Sequence, residues 1–461
     1  MNKSRIIYDK VFWLLFIFAA IYILGNIGTG SLTTWDEAVY ANISKEILKT
    51  NSWFILYEHG NAWIDKPPMY MCLSALFYKL LGVNELAARL PSGLMGLATV
   101  MLLYIFIKEI VDRNAAVLSA LLLLAMPHYL HFAKMGMLDV SLTFFIVLMI
   151  YFFWKGEENP VFLFWSGIAF GAAYFTKGFA SFLGLFIIGL YALFAQKLRL
   201  LFRRQFILGI LISLALIAGW HYAEYKAFGR IALDKWFGYH VYARATGALD
   251  GHVGGPNFYQ KAIFNKNKPW AVIPYLALLY MVWLSVRKHD KRAILACSWI
   301  LATYVLFSAV ATKIHNYIIP IYPALALSSG IFLARFLKNK MFHIFLSAVL
   351  ILMVVQVSYS WAFKLDFSLD LKTVAARAEA LKARGAYVFS SPRDASDVFY
   401  TDFAVFLTPD TYAAAINNNI RDAFLLVPSD QIGPLASEYN FAFTKVYDSW
   451  KLSMFKIRLN K

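Results

Sequence analysis

Long apolar segments separated by short charged stretches run through most of this 461-residue chain. Eleven of them are each long enough to cross a hydrocarbon core of about 30 Å as a helix. We expect membrane-spanning helices near 11–28, 90–110, 114–131, 137–154, 161–176, 179–196, 206–222, 270–286, 293–311, 316–334 and 342–362. The apolar stretch 69–82 is shorter and predicts an interfacial or re-entrant helix.

The composition agrees with this pattern. Hydrophobic residues make up 60% of the chain and charged residues 15%, and the mean hydropathy is +0.57. Soluble domains average about 45–50% apolar and about 25% charged residues. A very hydrophobic soluble protein would need shorter apolar runs interrupted by polar faces. The expected fold class is therefore an α-helical polytopic membrane protein.

The basic residues predict the orientation of the chain in the membrane. Three short loops between the expected spans are rich in Lys and Arg, which is typical of cytoplasmic loops. They contain Lys197, Arg199, Arg203 and Arg204; Arg287, Lys288, Lys291 and Arg292; and Arg335, Lys338 and Lys340. With the N-terminus also in the cytoplasm, the long loops 29–89 and 223–269 and the tail 363–461 lie outside.

This arrangement excludes several classes of function. The net charge of +17 comes from basic residues between apolar runs, so it does not indicate nucleic-acid binding. Cytoplasmic loops of a few residues leave little mass to bind a nucleotide sugar or ATP. The two cysteines, Cys72 and Cys297, lie in apolar surroundings and predict neither a disulfide framework nor a metal cluster.

The chain divides into two expected domains. Residues 1–362 form the transmembrane domain with its external loops. The tail 363–461 alternates a helical signal (Leu371–Arg384) with short strand-like runs at 386–390, 423–427 and 455–459. It predicts a small extramembrane α/β domain.

The first external loop contains the first candidate residues. Asp36 and Glu37 open a helical period, where acidic residues cap a helix or match its dipole; alternatively one of them acts as a general base near the membrane surface. Asp65 and Lys66 precede a stiff Pro–Pro pair. Lys66 is either a snorkelling lysine or a charge for a lipid phosphate. Arg89, just before Pro91, is expected to have a structural role at a helix entry.

Further candidates follow along the chain. Asp139 begins an apolar span, where a carboxylate is costly and indicates either function or helix capping. His240 and Arg244 are four residues apart in the second long loop, so on a helix they would share a face suited to an anion. Histidines at a membrane edge are also often merely interfacial.

The segment TKIHNYIIPIYP adds a polar cluster before the tenth expected span. Lys313, His315 and Tyr317 precede Pro320 and Pro323, which distort a helix start. Packing alone explains such a cluster poorly, and we interpret it as part of a binding site.

The ordered motifs WDEAVYA, DKPP, ARLPS, MGMLDVSLTFF, TKG and KIHNYIIPIYPALAL resemble one superfamily over about residues 11–335. This is the GT-C glycosyltransferase superfamily, in the branch of the protein O-mannosyltransferases and the lipid A aminoarabinose transferase. The resemblance implies a sugar donor linked to polyprenyl phosphate, an external acceptor and an inverting single displacement.

The resemblance also implies roles for individual residues. Asp36 matches the usual candidate base of the first loop, and Glu37 its acidic neighbour. Lys66 and Tyr317 match residues at the lipid phosphate, and His240 matches a histidine near the same group. The lipid A enzyme has an arginine three residues after the aspartate, where this chain has Val39, so the donor and the acceptor stay open.

Several alternatives also stay open. No cofactor is required, although Asp65 and His240 are two conceivable ligands of a divalent metal ion. The acceptor is a glycolipid such as lipid A or lipopolysaccharide, an envelope glycan, or a protein. The short tail favours a bacterial cytoplasmic membrane, with the site facing the periplasm or exterior. A transporter or flippase of lipid-linked sugars is the competing class, but no internal repeat supports it.

Overall fold

The structure is a computed structural model that describes 9–33, 36–58, 60–249, 252–337 and 340–356 without interruption. In the tail it describes 377, 380, 387–390, 405–406, 409–418, 420, 422–427, 432–447 and 453–459. The helical signal Leu371–Arg384 therefore falls almost entirely outside the described residues.

Helices dominate the part of the chain before the tail. They are α1 (Lys10–Leu24), α2 (Asp36–Thr50), α3 (Met69–Leu81), α4 (Glu85–Ile110), α5 (Arg113–Ala125), α6 (Pro127–Ala133), α7 (Leu138–Lys155), α8 (Val161–Lys177), α9 (Phe182–Phe194), α10 (Arg204–Phe228), α11 (Arg230–Leu233), α12 (Arg244–Thr246), α13 (Phe258–Asn265), α14 (Val272–Lys288), α15 (Lys291–Ala309), α16 (Tyr322–Phe336) and α17 (Lys340–Gln356). A π-helix, Asp234–Ala243, lies between α11 and α12, and 3₁₀ turns cover Gly178–Ser181, Leu198–Leu200 and His315–Ile321.

The fold class is confirmed, whereas the count of eleven spans is not. Six helical stretches among the described residues are long and apolar enough to cross a membrane, and a seventh is the pair α5 and α6, bent by 73°. Helices α8 and α9 together form one of these stretches, and α1 and α17 are shorter apolar helices. Each expected span overlaps at least one helix among the described residues, although 114–131 is divided between α5 and α6 and several helices are shorter than the spans predicted from the apolar runs.

Local residues explain where the helices begin and how closely they approach. Asn84 caps α4 by accepting a hydrogen bond from the Ala87 amide, and Asp112 caps α5 in the same way. Helices α8 and α10 touch at Gly167 and Gly209, where an added Cβ would meet backbone atoms at 2.6 Å or less. Small residues at a contact are the usual means of close packing between membrane helices.

The first external loop folds over the ends of the spans. Helix α2 is followed by a short hairpin, β1 (Tyr57–Glu58) with β2 (Asn61–Ala62), and then by α3. The 13-residue α3 matches the short helix expected at 69–82. Tyr70 anchors it, because its buried hydroxyl donates to the Ala88 carbonyl of α4 at 3.1 Å.

The described tail contains a five-stranded sheet in the order β4-β3-β5-β7-β6. Its strands are β3 (Tyr387–Ser390), β4 (Val405–Phe406), β5 (Asp422–Val427), β6 (Phe441–Tyr447) and β7 (Ser453–Leu459), with α18 (Pro409–Asn417) and α19 (Ile432–Tyr439) between them. Strand β3 pairs in parallel with β4 and β5, and β7 pairs antiparallel with β5 and β6. The sheet confirms a C-terminal β region, while the domain boundary at residue 362 stays a prediction.

Candidate active site

The adjacent residues Asp36 and Glu37 face different surroundings. Glu37 is 1% exposed, and its Oε1 lies 2.7 Å from Arg89 Nε and accepts from the Gly136 amide at 2.7 Å. Its Oε2 accepts from the Thr33 amide at 2.7 Å. Asp36, the first residue of α2, is exposed. One carboxylate is therefore enclosed and the other is accessible.

Arg89 also holds the start of the first external loop in place through hydrogen bonds to its backbone. Its guanidinium donates to the carbonyls of Ile27, Thr29, Gly30 and Ser31 at 2.8–3.1 Å. Burial alone would raise the pKa of Glu37, but the ion pair and hydrogen bonds with Arg89 outweigh it and lower that pKa. The structural role expected for Arg89 agrees with this geometry, although α4 begins earlier, at Glu85.

Asp36 lies beside two groups of the site. The Tyr40 hydroxyl forms a hydrogen bond with the Asp36 carboxylate, and the Lys66 ammonium lies close enough to feel its charge. Burial raises the pKa of Tyr40 well above its ordinary value, and Asp36 raises it further, so this hydroxyl stays protonated. Asp36 is thus an accessible carboxylate next to a cation and a hydrogen-bond donor.

Lys66 follows Asp65 at the entrance of α3, in the turn that Pro67 and Pro68 stiffen. Its Nζ donates to the Asp65 carbonyl at 2.9 Å. Burial lowers the pKa of Lys66 to about 8, against the opposing effect of Asp36 and Asp65. Desolvation of this kind penalises an ammonium that lacks a close counter-ion. An anionic ligand would restore the charged form.

Asp65 and His240 are neighbours, as a metal pair would require. His240 Nε2 and Lys235 Nζ each lie 3.2 Å from Asp65 Oδ1. Burial lowers the pKa of His240 to about 4, so its ring is neutral near pH 7. Burial alone would raise the pKa of Asp65, but His240, Lys66 and Lys235 together hold it well below its ordinary range.

These residues fit a divalent metal poorly. Lys235 already occupies the Asp65 oxygen that faces His240, and a second cation, Lys66, lies beside the same carboxylate. Among the residues that the structure describes, no group of three or more His, Cys, Asp and Glu could hold a metal ion. A bound metal would therefore need to displace Lys235 and draw further ligands from elsewhere.

Deeper in the site, Arg244 and Lys177 meet around Tyr317. Arg244 Nη1 donates to the Tyr317 hydroxyl at 2.6 Å, and Lys177 Nζ lies 5.2 Å from the centre of the Tyr317 ring. Lys177 also forms an ion pair with the buried Asp139, and Asn316 Nδ2 donates to Asp139 Oδ2 at 3.1 Å. Asp139 is therefore a counter-ion inside the site.

A cavity of about 420 Å³ joins most of these groups. Its charged and polar lining residues are Asp65, Lys66, Asp139, Lys177, His240, Arg244 and Tyr317. Phe179, Phe182, Trp236, Leu306 and Phe307 are among the apolar ones. A pocket with cations at one place and an apolar remainder suits a ligand with a phosphate and a hydrocarbon chain.

Four candidate residues from the sequence do not line this cavity: Asp36 and Glu37, described above, and Lys313 and His315. Lys313 Nζ donates to the carbonyls of Phe307, Ser308 and Val310, so it caps the end of α15. His315 stacks on Phe258 with 4.6 Å between ring centres and is exposed. Neither lines the cavity, so the polar cluster predicted at Lys313, His315 and Tyr317 is divided by the fold.

The sequence assigned no role to Lys177 and Asn316. Lys177 is the last residue of α8, directly before the 3₁₀ turn, and the motif TKG contained the only signal for it. No sequence signal pointed to Asn316, because its contact partner Asp139 lies 177 positions away in the chain. Both complete the surroundings of Asp139.

Comparisons with known proteins find similarity to the same branch of glycosyltransferases. Residues 65–222 match the family described as dolichyl-phosphate-mannose-protein mannosyltransferase. An uncharacterized protein of Aquifex aeolicus is 29% identical over 73% of this chain and 74% of its own. The undecaprenyl phosphate-alpha-4-amino-4-deoxy-L-arabinose arabinosyl transferase 1 of Pseudomonas fluorescens is 27% identical over 69% of this chain, but the match spans only 58% of that relative's length.

A solved structure supports the fold. The crystal structure of ArnT from Cupriavidus metallidurans bound to undecaprenyl phosphate matches with a TM-score of 0.77 at 18% identity, covering 97% of this chain and 98% of that one. This likeness supports the fold, and the family match together with the motif order confirms the resemblance predicted from the sequence. The chain is similar to the GT-C glycosyltransferases, in the branch of the protein O-mannosyltransferases and the lipid A aminoarabinose transferase.

Proposed function

We propose that this protein transfers a sugar from a polyprenyl-phosphate donor to an acceptor on the membrane side that faces away from the cytoplasm. One observation carries the proposal. Lys66, Lys177, Arg244 and Tyr317 line a cavity of about 420 Å³, and the exposed carboxylate of Asp36, which lies outside this lining, is near enough to Lys66 for their charges to interact. The site thus offers cations for a leaving phosphate and a base for an acceptor.

The donor phosphate is the natural counter-ion of the cavity. Lys177 is paired with Asp139, whereas Lys66 and Arg244 have no carboxylate within ion-pair distance among the described residues. Charge grows on the phosphate as the bond to the sugar breaks. Donors fixed in advance around such a charge stabilise the transition state more than the ground state. Lys66, Arg244 and the Tyr317 hydroxyl fill this role in our proposal.

The reaction is a single displacement that inverts the anomeric carbon. An acceptor hydroxyl attacks that carbon, the carbon–oxygen bond to the phosphate breaks, and its electron pair leaves with the polyprenyl phosphate. Asp36 takes the proton of the hydroxyl. A phosphate acceptor is already nucleophilic, and Asp36 then only orients it. Glu37 was also expected to be catalytic, but its enclosure by Arg89 favours a structural role.

The relatives indicate two classes of acceptor. The curated relatives named as aminoarabinose transferases favour a bacterial inner-membrane enzyme that modifies a glycolipid such as lipid A or lipopolysaccharide, or an envelope glycan. The family match over 65–222 favours a second candidate, protein O-mannosyl transfer. The two candidates differ in the sugar they transfer, a pentose for an aminoarabinose transferase and a hexose for a mannosyltransferase.

The test is transfer by the purified full-length protein in lipid vesicles. Undecaprenyl-phosphate aminoarabinose with lipid A is compared with undecaprenyl-phosphate mannose and a Ser/Thr peptide, with the Lys66→Ala protein as the control for background. Product from the first pair supports the glycolipid enzyme, and product from the second supports the mannosyltransferase. Donor movement across the vesicle membrane without any transferred sugar would instead support a flippase and overturn the proposal.

A further inference from the structure

A second polar cavity lies at the opposite end of the bundle from the candidate active site. It has a volume of about 440 Å³ and forms where the end of α14, the start of α15 and the end of α16 meet. Arg292, at the start of α15, lines it, whereas Phe307, near the end of α15, lines the first cavity. Arg292 and Phe307 are fifteen helical residues apart, so the two cavities are separated by roughly 22 Å along α15.

In this second cavity the acidic residues have partners, whereas two of the basic residues lack an acidic partner in the described part of the chain. Asp290 caps α15 and pairs with Arg292, whose Nε lies 3.0 Å from Asp290 Oδ1. Asp112 accepts the amide that caps α5. Lys288 and Arg335 are exposed, and neither has an acidic partner among the described residues. Both acids are therefore engaged, while two cations remain for an external anion.

The rest of the wall is apolar and faces outward from the bundle. Tyr280 and Trp283 stack with their ring centres 6.0 Å apart, and Trp283 is 49% exposed. Leu284 and Ile331, both partly exposed, extend this apolar surface. Aromatic rings beside basic residues at the end of a span are typical of the membrane–water interface. The cavity thus lies where lipid headgroups meet acyl chains.

We propose that this cavity binds the headgroup of an anionic phospholipid. Lys288 and Arg335 hold the phosphate, and Tyr280 and Trp283 pack against the glycerol and the first part of the acyl chains. Basic pockets between membrane helices recognise anionic headgroups by this combination of charge and apolar contact. A free phosphate would leave the apolar half of the wall unused, so the ligand is a lipid.

The test measures the melting temperature of the delipidated full-length protein in neutral detergent. Phosphatidylglycerol should raise it with a saturable dose dependence, and phosphatidylcholine should not. Lys288→Gln with Arg335→Gln should raise the half-saturating concentration of phosphatidylglycerol by about 30-fold, because each cation in direct contact with the bound phosphate contributes roughly fivefold to the binding constant. Both side chains are exposed, so the variant should fold like the wild type.

A matched variant separates the cavity from general attraction. Arg199→Gln with Arg203→Gln removes the same charge from another exposed basic loop and should leave the lipid response unchanged. An equal loss of affinity for phosphatidylglycerol in both double variants would overturn the proposal, since it would show only non-specific attraction between basic residues and the anionic lipid. So would equal stabilisation by inorganic phosphate, which would assign a generic anion site. No donor sugar is present, so failure here is distinct from failure of the transfer assay.

Discussion

Single side chains of the first cavity differ in how completely their charges are balanced. Lys177 and Asp139 neutralise each other, whereas Lys66 and Arg244 lie near charges without a close carboxylate. A substitution at a balanced position leaves a buried charge unpaired and affects the fold. In our proposal the partner of Lys66 is the donor phosphate. A substitution at Lys66 should therefore weaken binding of the donor and leave the fold unchanged.

Lys66→Ala and Tyr317→Phe should both weaken use of the lipid donor without unfolding the protein. The first removes a cation and the second removes the hydroxyl that Arg244 now contacts at 2.6 Å. Lys66→Arg should restore only part of the activity, because a planar guanidinium does not replace a compact ammonium. The measurement is KM for the donor together with the melting temperature, and wild-type kinetics in Lys66→Ala would remove Lys66 from the site.

The titration of Lys66 should appear in the pH dependence of donor use. Its pKa is lowered to about 8, so its charge is present below that pH and is lost as the pH rises through it. The ratio kcat/KM for the donor should therefore fall by up to about tenfold per pH unit above about 8. His240, already neutral above about pH 4, does not contribute to this limb.

The Lys66→Arg protein is the control for that profile, since an arginine stays charged over the whole range. Its kcat/KM should be lower than that of the wild type but flat between about pH 7 and pH 9. A falling limb that persists unchanged in Lys66→Arg would assign the titration to another group.

Asp36→Asn should separate a base from a helix cap. General-base catalysis contributes about 10²–10⁴-fold, so turnover with a hydroxyl acceptor should fall by that order while the melting temperature stays the same. Asn caps a helix as well as Asp does, so a purely capping residue would tolerate the change. Turnover is measured at saturating donor, and near-full activity would restrict Asp36 to orienting a phosphate acceptor.

Glu37→Gln is the matched variant on the neighbouring position. It leaves Arg89 buried without its counter-ion, which typically costs about 3–5 kcal/mol. We expect a marked fall in melting temperature and, in the fraction that folds, turnover closer to wild type than in Asp36→Asn. The reverse ranking of the two variants would favour Glu37 as the catalyst.

The sequence placed Asp36 and Glu37 together because they are adjacent, and it could not separate them. Successive helical residues point about 100° apart, so the side chains of a pair enter different surroundings. The partner that encloses Glu37 is Arg89, 52 residues away, and such a contact leaves no local pattern. The match of Lys66 and Tyr317 to the cavity was predictable, because Lys66 directly precedes Pro67 and Tyr317 lies three residues before Pro320, and these prolines restrict the chain.

At the scale of elements, the π-helix Asp234–Ala243 carries three of the cavity residues. Trp236, His240 and Val241 line the cavity, and Arg244 follows at the end of the π-helix. Trp236 Nε1 donates to Glu224 Oε2 of α10 at 2.7 Å, which ties the π-helix to a spanning helix. A π-helix has hydrogen bonds between residues five positions apart, so residues four positions apart still point in similar directions. His240 and Arg244 both line the cavity, in agreement with the shared face predicted from their spacing.

Trp236→Phe should loosen this element while keeping an aromatic ring in place. The lost hydrogen bond to a buried carboxylate costs about 1.5–3 kcal/mol, so the melting temperature and the donor affinity should fall together. Trp165→Phe, at a position 48% exposed on the surface, is the control and should change neither. An unchanged KM for the donor in Trp236→Phe would show that the π-helix holds its place without this bond.

The positions of most helices were predictable from the sequence, and their lengths were not. Asn84 and Asp112 signal the starts of α4 and α5 in the sequence. The 73° bend at Met126 divides an apolar run that hydropathy treats as one span. Hydropathy measures affinity for lipid, whereas a bend inside the bundle depends on which neighbour a helix packs against.

At the scale of the whole molecule, the two cavities lie at opposite ends of one helix bundle and differ in the loops that surround them. The candidate active site is enclosed by the long loops 29–89 and 223–269, and the second cavity by short basic connections. Positively charged short loops stay in the cytoplasm during insertion. The orientation thus decides which membrane face each ligand must come from.

Reporter fusions test that orientation directly. Fusions at Gln196 and Lys288 should report the cytoplasm, and fusions after Gly251 and Ser391 should report the exterior, because Lys and Arg in short loops set the topology. The four sites also check one another, since an odd number of spans between any two must reverse the signal. An exterior signal at Lys288 would invert the bundle, place the candidate active site in the cytoplasm and overturn the proposed transfer on the outer face.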